Sequence, residues 1–118
     1  MTKVKDLIYT IALSELRAGE QASKIGNIGQ ARVCARRACG MAIEYWLKSN
    51  SDKDWGASAI TMLNKLQEDC SIPKNIREAA FRLTKKVDRN FETGIEEDPL
   101  IDGEMIVKYF LDSLQTNE

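Results

Sequence analysis

Histidine is absent from all 118 residues. That removes Ser-His and Cys-His nucleophile pairs, imidazole general bases and nearly every catalytic zinc site. The Glu-x-x-His signature of di-iron bundles goes with them. Cysteine is scarce as well: Cys34, Cys39 and Cys70 are odd in number and show no Cys-x-x-Cys spacing, which argues against a disulfide framework and a redox motif. Cys34 and Cys39 stand about 140° apart on a helix, too far round to share a metal, so the cysteines read as small core residues. No apolar run approaches the ~20 residues of a membrane span. The apolar stretch over 7–13 contains Thr10 and leads into Ser14-Glu15-Leu16-Arg17. That is an amphipathic helix rather than a signal sequence, and a cytoplasmic location without membrane contact is the expectation. No segment alternates like a strand between hairpin turns. No Gly-rich phosphate loop follows a strand, because Gly26 and Gly29 belong to a helix–helix turn.

What remains is ordinary globular material, 43% apolar and 30% charged, and at this length it forms one domain over 1–118. Pro73, Gly26 and Gly94 fall between segments of helical periodicity, and Pro99 and Gly56 stand at the start of one. The spacing predicts helices over 3–24, 28–48, 55–69, 74–90 and 99–114. In the first, Val4, Leu7, Ile8, Ile11, Leu16 and Ala18 recur at helical spacing. Asn27 caps the second, with Gln30 as its capping-box partner. Ile60, Leu63 and Leu66 point inward from the third, and Ile76, Ala80, Leu83 and Val87 from the fourth. Pro73 suits a helix entry, and Asp98-Pro99 is the clearest start signal in the chain. Ile101, Met105, Ile106, Tyr109 and Phe110 line the apolar side of the fifth. Short links make neighbouring helices antiparallel, so the expected architecture is an all-α, up-and-down bundle of four or five helices.

The second predicted helix stands out. Ala31, Cys34, Ala35, Ala38, Cys39, Met41, Ala42, Tyr45 and Trp46 fall within an arc of about 160°. The alanine row lets a neighbour approach closely. On its other side Val33, Gly40, Ile43 and Leu47 cluster with Arg32 and Arg36. A mid-helix glycine costs about 1 kcal/mol against alanine, which is tolerable where something packs on it. Two covers fit: another helix of the bundle, or a second subunit meeting Val33, Gly40, Ile43 and Leu47 in a homodimer.

Charge is unevenly placed. Residues 1–91 hold 16 Lys and Arg against 10 Asp and Glu, whereas residues 92–118 hold one lysine against eight acids. Arg32, Arg36 and Arg37 lie on the second predicted helix, and Arg82, Lys85, Lys86 and Arg89 on the fourth. Such basic residues serve either the helix dipole or a phosphate-bearing ligand. The acidic run Glu92, Glu96, Glu97 and Asp98 is either a solvated loop or a site for a cation or basic partner.

The segment 31–48, ARVCARRACGMAIEYWLK, resembles the alanine-rich second helix of HEPN domains (higher eukaryote and prokaryote nucleotide-binding). The segment 72–83, IPKNIREAAFRL, and the helix opening at Asp98-Pro99 resemble the same family. The resemblance spans most of 5–114 and implies an up-and-down bundle, often dimeric. Many members are RNases with an Arg-x4–6-His motif. Others are binding modules, often paired with a minimal nucleotidyltransferase in toxin–antitoxin or defence systems. Arg89-Asn90 match the start of that motif, but the histidine expected five residues after the arginine is Gly94.

The resemblance therefore implies a non-catalytic member with no cofactor. Its nucleotide, RNA or protein partner would be met by Arg36, Arg37, Lys86, Arg89 and Asn90. A purely structural interaction bundle, whose acidic region over 92–104 docks a basic partner, is the alternative. A helix-turn-helix DNA binder using the third and fourth helices is a third reading.

Overall fold

The computed structural model describes residues 3–85 and 98–115, with side chains described over 4–85 and 98–112. Five helices form it: α1 (Lys3–Lys24), α2 (Ile28–Leu47), α3 (Ala59–Glu68), α4 (Lys74–Thr84) and α5 (Pro99–Gln115). No strand occurs among the described residues, and the protein is an all-α helical bundle. At the α1–α2 turn, Gly26 takes a left-handed φ of 83°. Asn27 Oδ1 then accepts from the Gln30 amide at 3.0 Å. The expected reciprocal half of that capping box is missing, because the Gln30 side chain reaches Cys34 Sγ instead.

Two mid-helix glycines set the layout. A Cβ at Gly19 would lie 2.5 Å from Leu100 and 3.1 Å from Cys34, and one at Gly103 would lie 3.1 Å from both Leu16 and Ala35. These contacts run α1 antiparallel to α5, with the alanine row of α2 in the same seam. Cys39 Sγ meets the Gly103 carbonyl and Trp46 meets Phe110 further down, so α2 and α5 run the same way. Arg82–Asp102 and Asn75–Met105 pairs make α4 antiparallel to α5. Thus α1, α2, α4 and α5 alternate up, down, up, down, and short α3 is inserted between α2 and α4.

Several inward assignments change. In α1 the buried line is Lys5, Ala12, Leu16, Gly19 and Ala22, while Val4, Leu7, Ile11 and Ala18 are exposed. Small side chains win the inner face because they allow close approach to both α2 and α5. Ile60 and Ile101, expected inward, are exposed, whereas Leu63, Leu66, Ile106 and Phe110 are buried as expected. Cys34 and Cys39 are core residues, but Cys70 is exposed.

The start of α3 also shifts. Gly56 takes φ 85°, and Ser58 with Thr61 forms a reciprocal capping box, so the helix begins at Ala59 rather than at 55. Trp55 stays in the loop and is buried. Its ring packs 5.4 Å from Trp46 and 6.3 Å from Phe110, closing one end of the bundle. At the start of α5 the reading holds: Asp98 Oδ1 accepts from the Leu100 amide at 2.8 Å.

Candidate functional site

The densest polar cluster lies where α2, α4 and α5 meet. Periodicity carried the fourth helix to residue 90, yet α4 ends at Thr84 and Lys85 is extended. A helix end leaves carbonyls without intrahelical donors. Here no glycine supplies a left-handed cap. Arg32 does the work from α2: its Nη2 donates to the carbonyls of Arg82 at 3.0 Å, Leu83 at 3.1 Å and Lys85 at 3.0 Å. Arg36 adds a longer contact, 3.4 Å from Nη1 to the Leu83 carbonyl. Arg32 is only 6% exposed. Burial pulls its pKa down from the usual arginine range, the Arg36 charge adds to this, and Asp102 opposes both. Arginine is the residue suited to such a place, because its planar fork stays charged and serves several acceptors at once.

Arg82 and Asp102 complete the cluster. Arg82 Nε and Nη2 donate to the two carboxylate oxygens of Asp102 at 2.9 and 2.8 Å, and Asp102 is buried. This two-point geometry is the strong form of a carboxylate–guanidinium pair. The cluster thus gathers the guanidinium groups of Arg32, Arg36 and Arg82 with one bonded carboxylate, and Lys85 joins it through its backbone carbonyl.

The candidate ligand residues are distributed as follows. Arg36 is half-buried with part of its fork on α4, and Arg37 is exposed. Lys86, Arg89, Asn90 and Gly94 lie outside the described residues. Three acids of the 92–104 region are described: Glu104 is exposed and lies 3.8 Å from Lys108, whereas Asp98 and Asp102 have internal duties. Asp98 caps α5, and Asp102 holds Arg82 in a buried pair, which removes Asp102 from any docking surface.

The subunit-interface reading of Val33, Gly40, Ile43 and Leu47 needs correction at two positions. A Cβ at Gly40 would lie 3.0 Å from Ala59 and 3.7 Å from Met62, and Ile43 is fully buried. Helix α3 of the same chain covers this face. Val33 and Leu47 are half-buried at its edges.

The buried Cys39 thiol is not poised for chemistry. Burial pushes the Cys39 thiol far above the ordinary range, and Asp102 adds to the effect. Among the described residues no group of His, Cys, Asp and Glu side chains could hold a metal, and no helix is long and apolar enough to cross a membrane. One shallow depression of about 500 Å³ is lined by Lys53, Asp54, Trp55, Lys65, Glu68, Asp69 and Cys70. Inside it Lys53 donates to Asp69 at 2.7 Å. That bond, with help from Ser71, lowers the Asp69 carboxyl to about 2.

Sequence reading missed three features. The capping duty of Arg32 had one visible signal, its i, i+4 spacing from Arg36 on a helix otherwise lined with small apolar residues. The Asp102 pair had none, since residues 82 and 102 are joined only by the fold. The buried Lys5, whose Nζ has no hydrogen-bond partner among the described residues, sits among polar and apolar neighbours in sequence that gave no warning. Comparison with family models, with characterised proteins and with solved structures returns no match.

Proposed function

We propose that this chain is a non-catalytic helical binding module of the HEPN type, working in the cytoplasm and taking RNA or a nucleotide at the junction of α2 and α4. One observation supports the reading most. Three guanidinium groups, those of Arg32, Arg36 and Arg82, gather at the end of α4 with Asp102 as the bonded carboxylate, and exposed Lys85 follows directly in the chain. Such an excess of positive charge attracts phosphate without needing base-specific contacts. Arg32 and Arg82 hold the frame. Arg36, Arg37 and Lys85 face the ligand in this reading, and Lys86, Arg89 and Asn90, which follow in the sequence, belong to the same proposed set. The toxin–antitoxin or defence setting, with a nucleotidyltransferase as protein partner, belongs to the same proposal and rests on the family resemblance.

A purely structural role through the acidic region is the weaker reading, because Asp102 is buried in its pair with Arg82 and Asp98 caps the start of α5. The helix-turn-helix reading is weaker for a similar reason. The last turn of α4 is bound to α2 and α5 through Arg32, Arg36 and Asp102, which keeps it docked rather than projecting.

Fluorescence anisotropy with labelled single-stranded RNA tests the proposal. Binding should weaken steadily with salt. The double substitution Arg37→Glu with Lys85→Glu, both at exposed positions, should weaken it by about tenfold or more. Absence of binding, or binding indifferent to salt, overturns the nucleic-acid reading.

A further inference from the structure

The outward face of α4 carries one large apolar side chain, and it is aromatic. Phe81 is 53% exposed. Its exposed neighbours on that face are Lys74, Glu78 and Lys85. The ring therefore belongs to no contiguous apolar patch of the kind that marks a protein interface. Nor does it join the other rings. Trp46, Trp55, Tyr109 and Phe110 pack on one another at the opposite end of the bundle. A π-face open to solvent and bordered by charge suits a flat partner that is polar at its edges.

The backbone beneath the ring is held on several sides. Thr84 Oγ1 donates to the Phe81 carbonyl at 3.0 Å and accepts from Gln67 Nε2 of α3 at 3.0 Å. The next two carbonyls, those of Arg82 and Leu83, receive Arg32 and Arg36 from α2. The last turn of α4 thus presents Phe81 from a preorganised support, which lowers the ordering cost of binding on it. Lys85 stands four residues on, within about one helical turn of the ring. At that spacing one nucleotide lays its base on the ring and its phosphate beside the ammonium. Exposed Glu78, one turn earlier, repels phosphate, which leaves the phosphate on the Lys85 side. We infer that Phe81 is a stacking platform for an unpaired base, so that this junction selects single-stranded nucleic acid over duplex. A paired base inside a duplex has both faces covered by its neighbours and cannot use the ring, whereas single strands stack readily on exposed aromatics. The inference rests on the phosphate-binding reading of the α2–α4 junction and adds the discrimination that attraction to phosphate alone does not supply.

Fluorescence anisotropy on the full chain compares a labelled single-stranded RNA with the same strand annealed to its complement. Wild type should bind the single strand more tightly. Phe81→Leu keeps an apolar side chain and removes the ring. It should weaken single-strand binding by about tenfold, with the melting curve, the duplex affinity and the salt dependence unchanged. Phe81→Trp should bind the single strand at least as tightly as wild type. RNA should quench the fluorescence of the Phe81→Trp chain more than that of wild type, whose Trp46 and Trp55 lie at the far end. Inorganic polyphosphate, which has no bases, should bind wild type and Phe81→Leu equally in calorimetry.

Salt-dependent RNA binding that tolerates Phe81→Leu overturns the stacking platform and leaves the phosphate reading standing. A wild type that binds duplex as tightly as single strand does the same. Equal loss of polyphosphate and RNA binding in Phe81→Leu overturns it too, since the ring then acts through the fold rather than on a base. Absence of binding to every probe overturns this inference together with the reading beneath it.

Discussion

Helices α1 and α2 form one hairpin, lie side by side and both bury small residues with one cation, yet that cation is partnered differently on each. On α2 the alanines and cysteines face the core together with Arg32, a full cation that finds three carbonyl partners on α4. On α1 the inner face holds Ala12, Leu16, Gly19 and Ala22 with Lys5, a cation whose Nζ finds no partner among the described residues, while Val4, Leu7 and Ile11 face out. The comparison teaches that hydrophobicity alone does not choose the buried face of a helix in a tight bundle. Side-chain size chooses it first, because the alanine row of α2 and the glycines of α1 and α5 reward backbones that approach closely. A buried charge is then either bonded, as Arg32 is, or costly, as Lys5 is.

The largest expected effect sharpens the α2 side. Arg32→Met should lower the stability to urea unfolding by about 2–3 kcal/mol, because buried carbonyls at the end of α4 lose their donor. A loss near zero would show that water serves those carbonyls equally well and would break the contrast.

On α1 the sign reverses. Lys5→Met keeps the length of the side chain and removes the desolvated ammonium, so the urea midpoint should rise, with a gain of about 1–2 kcal/mol. Destabilisation by this substitution would mean that the Lys5 charge has a favourable role, and the two helices would then be alike in using their buried cations.

The smallest effect comes from the ion pair outside both helices. The folded-state pKa of Asp69 is depressed to about 2, through its bonds to Lys53 and Ser71. Its contribution to stability is therefore present above the unfolded carboxylate value near 4 and is lost as pH falls toward 2. Thermal melts should show Asp69→Asn slightly less stable than wild type at pH 7, with the gap closing by pH 2. A gap that stays constant across that range would assign it to packing rather than charge. The pair is solvent-accessible, so the effect is small and provides a baseline for the two larger ones.

Much of the bundle was legible from local chemistry. Asp98-Pro99 starts α5, Asn27 caps α2, and the alanine-rich arc of α2 is the core face, each because a few adjacent residues suffice to state the signal. The candidate site was legible only in part. Arg36 and Arg37 could be placed on one helix from periodicity, but the use of Arg32 depends on where α4 ends. That end cannot be read from a stripe that continues in phase through Val87.

By itself, then, the sequence determined the helical class, the positions of most helix starts, the core face of α2, and the absence of imidazole chemistry that follows from having no histidine. Those depend on residue identity and on spacing within a turn or two. Only the tertiary structure decided that α3 covers Gly40 and Ile43, that Arg32 closes α4, that Asp102 is a buried partner of Arg82, and that Val4, Leu7 and Ile11 of α1 face outward. Each of these joins residues distant in the chain. Periodicity marks two faces on a helix, but the shape of the neighbours selects the one that is buried.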